Sequence, residues 1–153
     1  MKIVLFEPLI PQNTGSIARM CAATYTELHL VEPLGFELSD RYLKRAGLDY
    51  WNEVILRVHP NWESFLVSSA AEESQLWLLT KHATASYCEC RFGGDDFLVF
   101  GSETKGFPQQ LHERYQNRRF RIPMENPAVR SLNLATSAGI VLFEARRQNA
   151  PLR

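Results

Sequence analysis

Three polar segments of this 153-residue chain carry residues whose types and spacing could do chemistry. The first runs from Pro8 to Arg19. Asn13 or Thr14 can cap a following helix, because a short polar side chain satisfies the free N–H groups of a first turn. Arg19 then falls on that helix, where a lone arginine is ordinarily a solvated charge. Its neighbours Ala18, Ala22 and Ala23 are small, which suits close approach of something bulky. The second segment, Gly101 to Pro108, directly follows an apolar run. Gly101 and Gly106 have the separation of the two P-loop glycines, but that motif needs Lys and then Ser or Thr next, and Phe107 and Pro108 stand there. No G-x-G-x-x-G occurs either, so a phosphate cradle and a dinucleotide fingerprint are both excluded. The remaining uses of these glycines are tight turns and bare backbone against which a ligand can lie. The third segment runs from Ile122 to Leu134. Ser131 can cap the last helix, which leaves Asn133 in the first turn with little helical reason to be there.

The elements that must position these segments follow from the apolar pattern. Ile3 to Phe6, Leu28 to Val31, Val54 to Val58, Leu76 to Leu79, Phe97 to Phe100 and Phe120 to Ile122 read as strands. Helices are expected after Asn13 or Thr14, over Asp40 to Ala46 with Gly47 past its end, over Asn61 to Ser69 with Trp62, Phe65 and Leu66 on one face, and over Leu132 to Gln148. The last has Leu132, Ala135, Gly139, Leu142 and Phe143 along one stripe. Strands that are apolar throughout and alternate with helices imply an α/β fold, with a parallel sheet covered on both faces. Ligands of such sheets sit beyond the carboxyl ends of strands. Chemistry is therefore expected in the loops after Phe6, Leu79, Phe100 and Ile122.

Composition narrows the class without naming a partner. A length of 153 residues fits one domain, expected here over 1–153, and 45% apolar with 22% charged residues is ordinary for a globular protein. Lys plus Arg and Asp plus Glu are 17 each, so net charge points to neither nucleic acid nor membrane. A local basic patch matters more than the sum. Cys21, Cys88 and Cys90 form no disulfide framework, and reduced thiols in a cytoplasmic protein are the simplest expectation. No stretch has the length of a signal peptide or a transmembrane helix. Cys88-Glu89-Cys90 with His82 upstream falls short of zinc spacing, so no metal is expected.

Taken together, in this order and at these separations, the three segments resemble the motifs of the SPOUT superfamily of RNA methyltransferases. Within it, the chain is similar to the compact family that 2′-O-methylates the wobble nucleotide, cytidine or modified uridine 34, of leucine tRNAs. The residues that carry the resemblance are Glu7-Pro8, Ile10 to Gly15, His29 to Phe36, Arg45 to Tyr50, Gly101 to Gly106 and Ile122 to Met124.

The resemblance implies a single-domain parallel-sheet α/β fold whose C-terminal part threads a trefoil knot. It implies S-adenosyl-L-methionine as methyl donor, leaving S-adenosyl-L-homocysteine. By motif position, Leu79, Thr80, Gly101, Gly106, Ile122, Met124, Ser131 and Leu132 would hold that cofactor. Asn13, Arg19, Glu103, Ser131 and Asn133 match the polar residues that related 2′-O-methyltransferases use. A guanidinium is a poor proton acceptor, so Arg19 is better suited to holding a phosphate and stabilising developing alkoxide charge. The family is a homodimer whose active site spans two chains. No separate RNA-binding domain is expected, so the core itself must hold tRNA. Arg118, Arg119 and Arg121, Arg146 and Arg147, and Lys44 and Arg45 are candidate basic tracks, doubled by a dimer. The chain departs from the family pattern in the last helix, where Phe143 and Arg146 replace a tyrosine and a tryptophan. The competing readings are the same chemistry on another tRNA position or on ribosomal RNA, a knotted domain that binds RNA or cofactor without catalysis, and a flavodoxin-like nucleotide module, which the missing phosphate loop disfavours.

Overall fold

The computed structural model describes residues 1–39 and 50–149. Six strands form one sheet: β1 (Lys2–Phe6), β2 (Glu27–Val31), β3 (Leu56–His59), β4 (Leu76–Leu79), β5 (Phe97–Phe100) and β6 (Arg119–Phe120), in the order β3-β2-β1-β5-β4-β6. Every pairing is parallel. Among the described residues four helices cover it: α1 (Pro11–Thr24), α2 (Trp62–Ser69), α3 (Gln109–Arg114) and α4 (Leu134–Asn149). The α/β architecture expected from the apolar strands is the one observed.

The reason is visible in β1. Ile3 and Leu5 enter one core with Ile17, Ala18 and Cys21 of α1 and Ala138, Val141, Leu142 and Ala145 of α4. Val4 and Phe6 enter a second core with Trp62 and Phe65 of α2 and Leu111 of α3. A strand buried on both faces must be apolar at every position, whatever its side-chain alternation. The expected helix over Asp40 to Ala46, and Lys44 and Arg45 with it, lie outside the described residues.

Several boundaries differ from the sequence reading. Helix α1 starts at Pro11 with Ile10 as its cap residue, so neither Asn13 nor Thr14 caps it. The third strand spans Leu56–His59, because Val54 closes a 3₁₀ turn over Trp51–Glu53 and only the later residues pair with β2. Strand β6 ends at Phe120: β4 offers it only Leu78 and Leu79, and Arg121 turns away to Ala85 and Ser86. Helix α4 starts at Leu134, not Leu132. Its buried face is Ser137, Ala138, Val141, Leu142 and Ala145, while Phe143 is 43% exposed. Ala18 is buried in the core, so it gives Arg19 no open neighbourhood.

On the α2 side of the sheet two histidines lie stacked, His29 of β2 and His59 of β3, with ring centroids 5.1 Å apart. His29 Nδ1 lies 2.9 Å from His59 Nε2, and Ser68 Oγ lies 3.0 Å from His59 Nδ1. With both rings neutral, one ring N–H joins the two histidines and Ser68 Oγ bonds His59 Nδ1, in an arrangement set by the tautomers. His29 Nε2 lies 3.5 Å from Glu27 and has no hydrogen-bond partner among the described residues. Burial pushes His29 down to about 4 against the opposing pull of Glu27, and burial lowers His59 too.

The pH dependence follows in sign. The unfolded chain takes up a proton on each histidine below about pH 6.5 that the folded chain refuses, so stability falls as pH drops from there toward 4. Urea unfolding at pH 7.5 and pH 5 is expected to differ by at most about 2 kcal/mol from His29. In His29→Gln that difference shrinks by at least half. An undiminished pH effect in the variant would remove His29 from the account.

Candidate active site at the strand ends

The loop after β1 is pinned from two directions. Gly35 donates its N–H to Pro8 O (2.9 Å), and a Cβ at Gly35 would stand 2.7 Å from Leu9 Cα, so only glycine fits there. From the other side comes Glu103. Its carboxylate accepts from Leu9 N (2.7 Å), Ile10 N (3.0 Å) and Asn13 Nδ2 (3.3 Å). Ile10 has no polar side chain, and α1 has no acidic residue in its first turn. Glu103 therefore supplies both the cap acceptor and the negative charge that the N-terminal end of α1 favours.

Asn13 extends the row. It is 8% exposed, and its Oδ1 accepts from Asn133 Nδ2 at 2.9 Å. Asn133 Oδ1 in turn accepts from Ala135 N (2.8 Å) and Thr136 N (3.3 Å). Asn133 is thus the cap of α4, and Ser131, expected in that role, is not. The amide orientations are forced: Glu103 can only accept, so Asn13 must show it the NH₂ group, and Asn133 must then show Asn13 its own. Three of the five polar candidates, Asn13, Glu103 and Asn133, are brought together. Arg19 and Ser131 stand apart from this row.

Next to the row lies a cleft of about 1020 Å³ beyond the carboxyl ends of β4 and β5. Leu79, Thr80, Gly101, Gly106 and Ser131 line it. Ile122, Met124 and Leu132 are not among its lining residues: Ile122 is packed against the core, while Met124 and Leu132 are exposed. One wall is a tight turn in which Ser102 and Gly106 exchange backbone hydrogen bonds of 3.1 and 2.8 Å. Gly106 has φ +65°, and a Cβ at Gly101 would meet the Gly106 backbone carbon at 2.7 Å. Arg130 and Ser131 also line the cleft, and their N–H groups have no acceptor among the described residues. Apolar Leu79, Phe100 and Leu134 with open backbone donors suit a flat heteroaromatic ring.

The sequence reading missed a further wall: Lys81, His82, His112 and Arg119 also line the cleft. The rings of His82 and His112 meet edge to face at 5.5 Å, and Arg119 Nη1 lies 3.5 Å from His112 Nδ1. Lys81 and His82 could have been found from their place directly after β4. His112 lies on α3, and nothing in its neighbours announces it. Arg19 does not line the cleft. Its Nη2 donates to Tyr50 Oη (3.0 Å), and its guanidinium carbon lies 4.7 Å from the centre of that ring. Among the described residues no group of three or more His, Cys, Asp or Glu could hold a metal ion.

The polar row makes a stability prediction. Asn133→Ala removes a cap and the bond to Asn13, at a cost of about 2 kcal/mol in urea unfolding. Ser131→Ala should cost under about 0.5 kcal/mol, as an exposed residue without a cap role. Equal costs for the two would show that Ser131 shares the cap.

Comparison with known proteins agrees with this fold. Residues 1–143 match the family model described as the SpoU rRNA Methylase family. A tRNA (cytidine(34)-2′-O)-methyltransferase of Saccharophagus degradans is 48% identical, over 95% of this chain and 94% of that one. A solved structure concerned with 2′-OH methylation of C/U34 on tRNA superposes with a TM-score of 0.89 at 44% identity, covering 96% of this chain and 94% of that chain. The structure of an AdoMet-bound rRNA methyltransferase from Sinorhizobium meliloti superposes at 0.85 with 27% identity, covering 99% of this chain and 57% of that one. With a family model spanning residues 1–143 and near-full-length relatives at this identity, the chain belongs to the SpoU methylase family.

Proposed function

We propose that this chain methylates the ribose 2′-hydroxyl of nucleotide 34 of tRNA, using S-adenosylmethionine. The observation that carries the reading is the 48% identity, over almost the whole chain, to a relative named for that reaction. Leucine tRNAs are the proposed substrates, and a cytoplasmic location goes with them. No helix among the described residues is long and apolar enough to cross a membrane.

The cleft fits the donor: Gly101 leaves its backbone bare, and the open N–H groups of Arg130 and Ser131 can receive the ring acceptors of an adenine. Leu79, Thr80, Gly101, Gly106 and Ser131 would hold it, with Ile122, Met124 and Leu132 completing the loops behind them. When bound, S-adenosylmethionine supplies an electrophilic methyl carbon and leaves as a neutral thioether. The protein's task is then alignment of the ribose oxygen and stabilisation of its developing charge. Glu103, Asn13 and Asn133 hold the loops in place for this. Arg19 stabilises the developing alkoxide as a cation, and the ribose proton passes to a phosphate oxygen or to water.

Arg19 is exposed and absent from the cleft of its own chain, which supports a homodimer in which α1 of one chain serves the cleft of the other. Exposed apolar residues on the α1 and α4 side, Tyr25 and Phe143, support the same reading.

Methyl transfer to tRNA lacking 2′-O-methylation at position 34, followed by mapping of the labelled nucleotide, tests the function directly. Arg19→Ala is expected to lower the single-turnover rate by about 10²-fold or more, with cofactor affinity within about twofold of the parent. An unchanged rate would withdraw the role given to Arg19. Gly101→Ala is expected to weaken cofactor binding, read by calorimetry, by at least about tenfold, because the new methyl forces the Ser102–Gly106 turn to open.

A further inference from the structure

The arginine clusters that the sequence offers as an RNA track are largely occupied within the fold. Arg118 donates to Leu76 O (3.0 Å) and to Ser74 O and lies 3.7 Å over the Trp77 ring. Arg146 donates to Thr24 O (3.0 Å), and Arg147 is paired with Glu144 (2.8 Å). Arg119 is half-buried, with its Nε 3.4 Å from Gln116 O. A guanidinium spent on backbone carbonyls or a carboxylate has little left for a phosphate.

The cations left without hydrogen bond or ion pair among the described residues are Lys81, Arg91, Lys105, Arg121 and Arg130. Three of these five, Lys81, Lys105 and Arg130, line the one cleft, each from a different loop. All three are exposed. Four cations, Lys81, Lys105, Arg119 and Arg130, line the cleft against two carboxylates, Glu103 and Glu113. Neither carboxylate is paired with a cation: Glu103 receives two backbone N–H groups and the Asn13 amide, and Glu113 receives the Gln109 amide at 2.9 Å. In a chain of zero formal charge, an excess of positive charge is gathered at the cleft.

From this placement we propose that Lys81, Lys105 and Arg130 bind the phosphates flanking the nucleotide that enters the cleft, and that they are the main electrostatic contacts of this chain with RNA. The proposal rests on the RNA-methylating function above. An RNA backbone is the occupant because its charges are periodic and three cations from three separate loops can each meet a different phosphate. A single small anion would call for convergence on one point. Lysine and arginine here act as charges rather than as shaped donors, which suits contacts that position a strand without reading its bases.

The test is the salt dependence of binding of the full-length protein to an anticodon stem–loop RNA with cytidine at position 34. Each lost phosphate contact lowers the slope of log K against log salt by about 0.7 for single-stranded RNA. Lys81→Ala, Lys105→Ala and Arg130→Ala combined should lower it by about 2, with S-adenosylmethionine affinity unchanged by calorimetry. Lys81→Arg with Lys105→Arg should retain the parent slope, and Arg91→Ala, away from the cleft, should leave it unaltered. A parent-like slope in the triple variant overturns the proposal. So does a loss of cofactor affinity at constant slope, which would assign the charges to the amino-acid end of the cofactor. An equal effect from Arg91→Ala, showing that only net charge matters, overturns it as well. Failure of the parent protein to methylate nucleotide 34 while the triple variant still loses slope would instead reject the function and keep the phosphate contacts.

Discussion

A single carboxylate decides where the loops of this protein stand. Glu103 leaves the Ser102–Gly106 turn and reaches the N-terminal end of α1, whose cap residue Ile10 cannot satisfy that end itself. Buried or half-buried N–H groups must find acceptors, and a charged acceptor makes the stronger bond. The bond joins residues more than ninety positions apart in sequence. Asn13 and Asn133 then carry a fixed donor–acceptor direction onward to the start of α4. The loops after β1 and β5 and the start of the last helix are therefore one hydrogen-bonded unit, and the cleft is bounded by two of its three parts.

The same row explains what was legible in the sequence. Strands β4 and β5 were found to the residue because apolar runs bounded by polar turns need no tertiary information. The starts of α1 and α4 were not, because their caps are tertiary. Ile10 is a cap residue without a capping side chain, and Pro11 in the first helical turn was the local signal that could have placed it. Between Ser131 and Asn133 either side chain could cap locally, and the choice is made by Asn13, 120 positions away. The strand expected through Ile122 is shortened by β4, which runs out of partners. Apart from the start of α1, which Pro11 marks locally, the errors came from interactions that no window of neighbouring residues contains.

The candidate site divides along the same line. Asn13, Glu103 and Asn133 were grouped in sequence by resemblance, and the structure gives them a physical reason to be polar that is independent of catalysis: they weld loops. Such residues are hard to separate from catalytic ones by sequence, since both kinds are polar and placed in the loops beyond strand ends. Arg19 differs. Its neighbour Tyr50 offers a hydroxyl and a ring face, which orient the guanidinium without neutralising it. A charge held in place but left uncompensated is the arrangement expected of a group that meets a ligand rather than one that supports the fold.

Helix α1, which carries Arg19, is held at both ends by residues from far away. It has no acidic residue in its first turn and no basic residue in its last. Glu103 serves the first end, and Arg146 serves the other, donating to Thr24 O at 3.0 Å. A negative group at the start and a positive one at the finish both favour the helix dipole. This cap has a cost, because Arg146 Nε is buried without a partner among the described residues. Since the guanidinium reaches a carbonyl at the helix end, Arg146 ties α4 to the C-terminal end of α1. The direction in which α1 presents Arg19 is thereby set by two charges it does not contain.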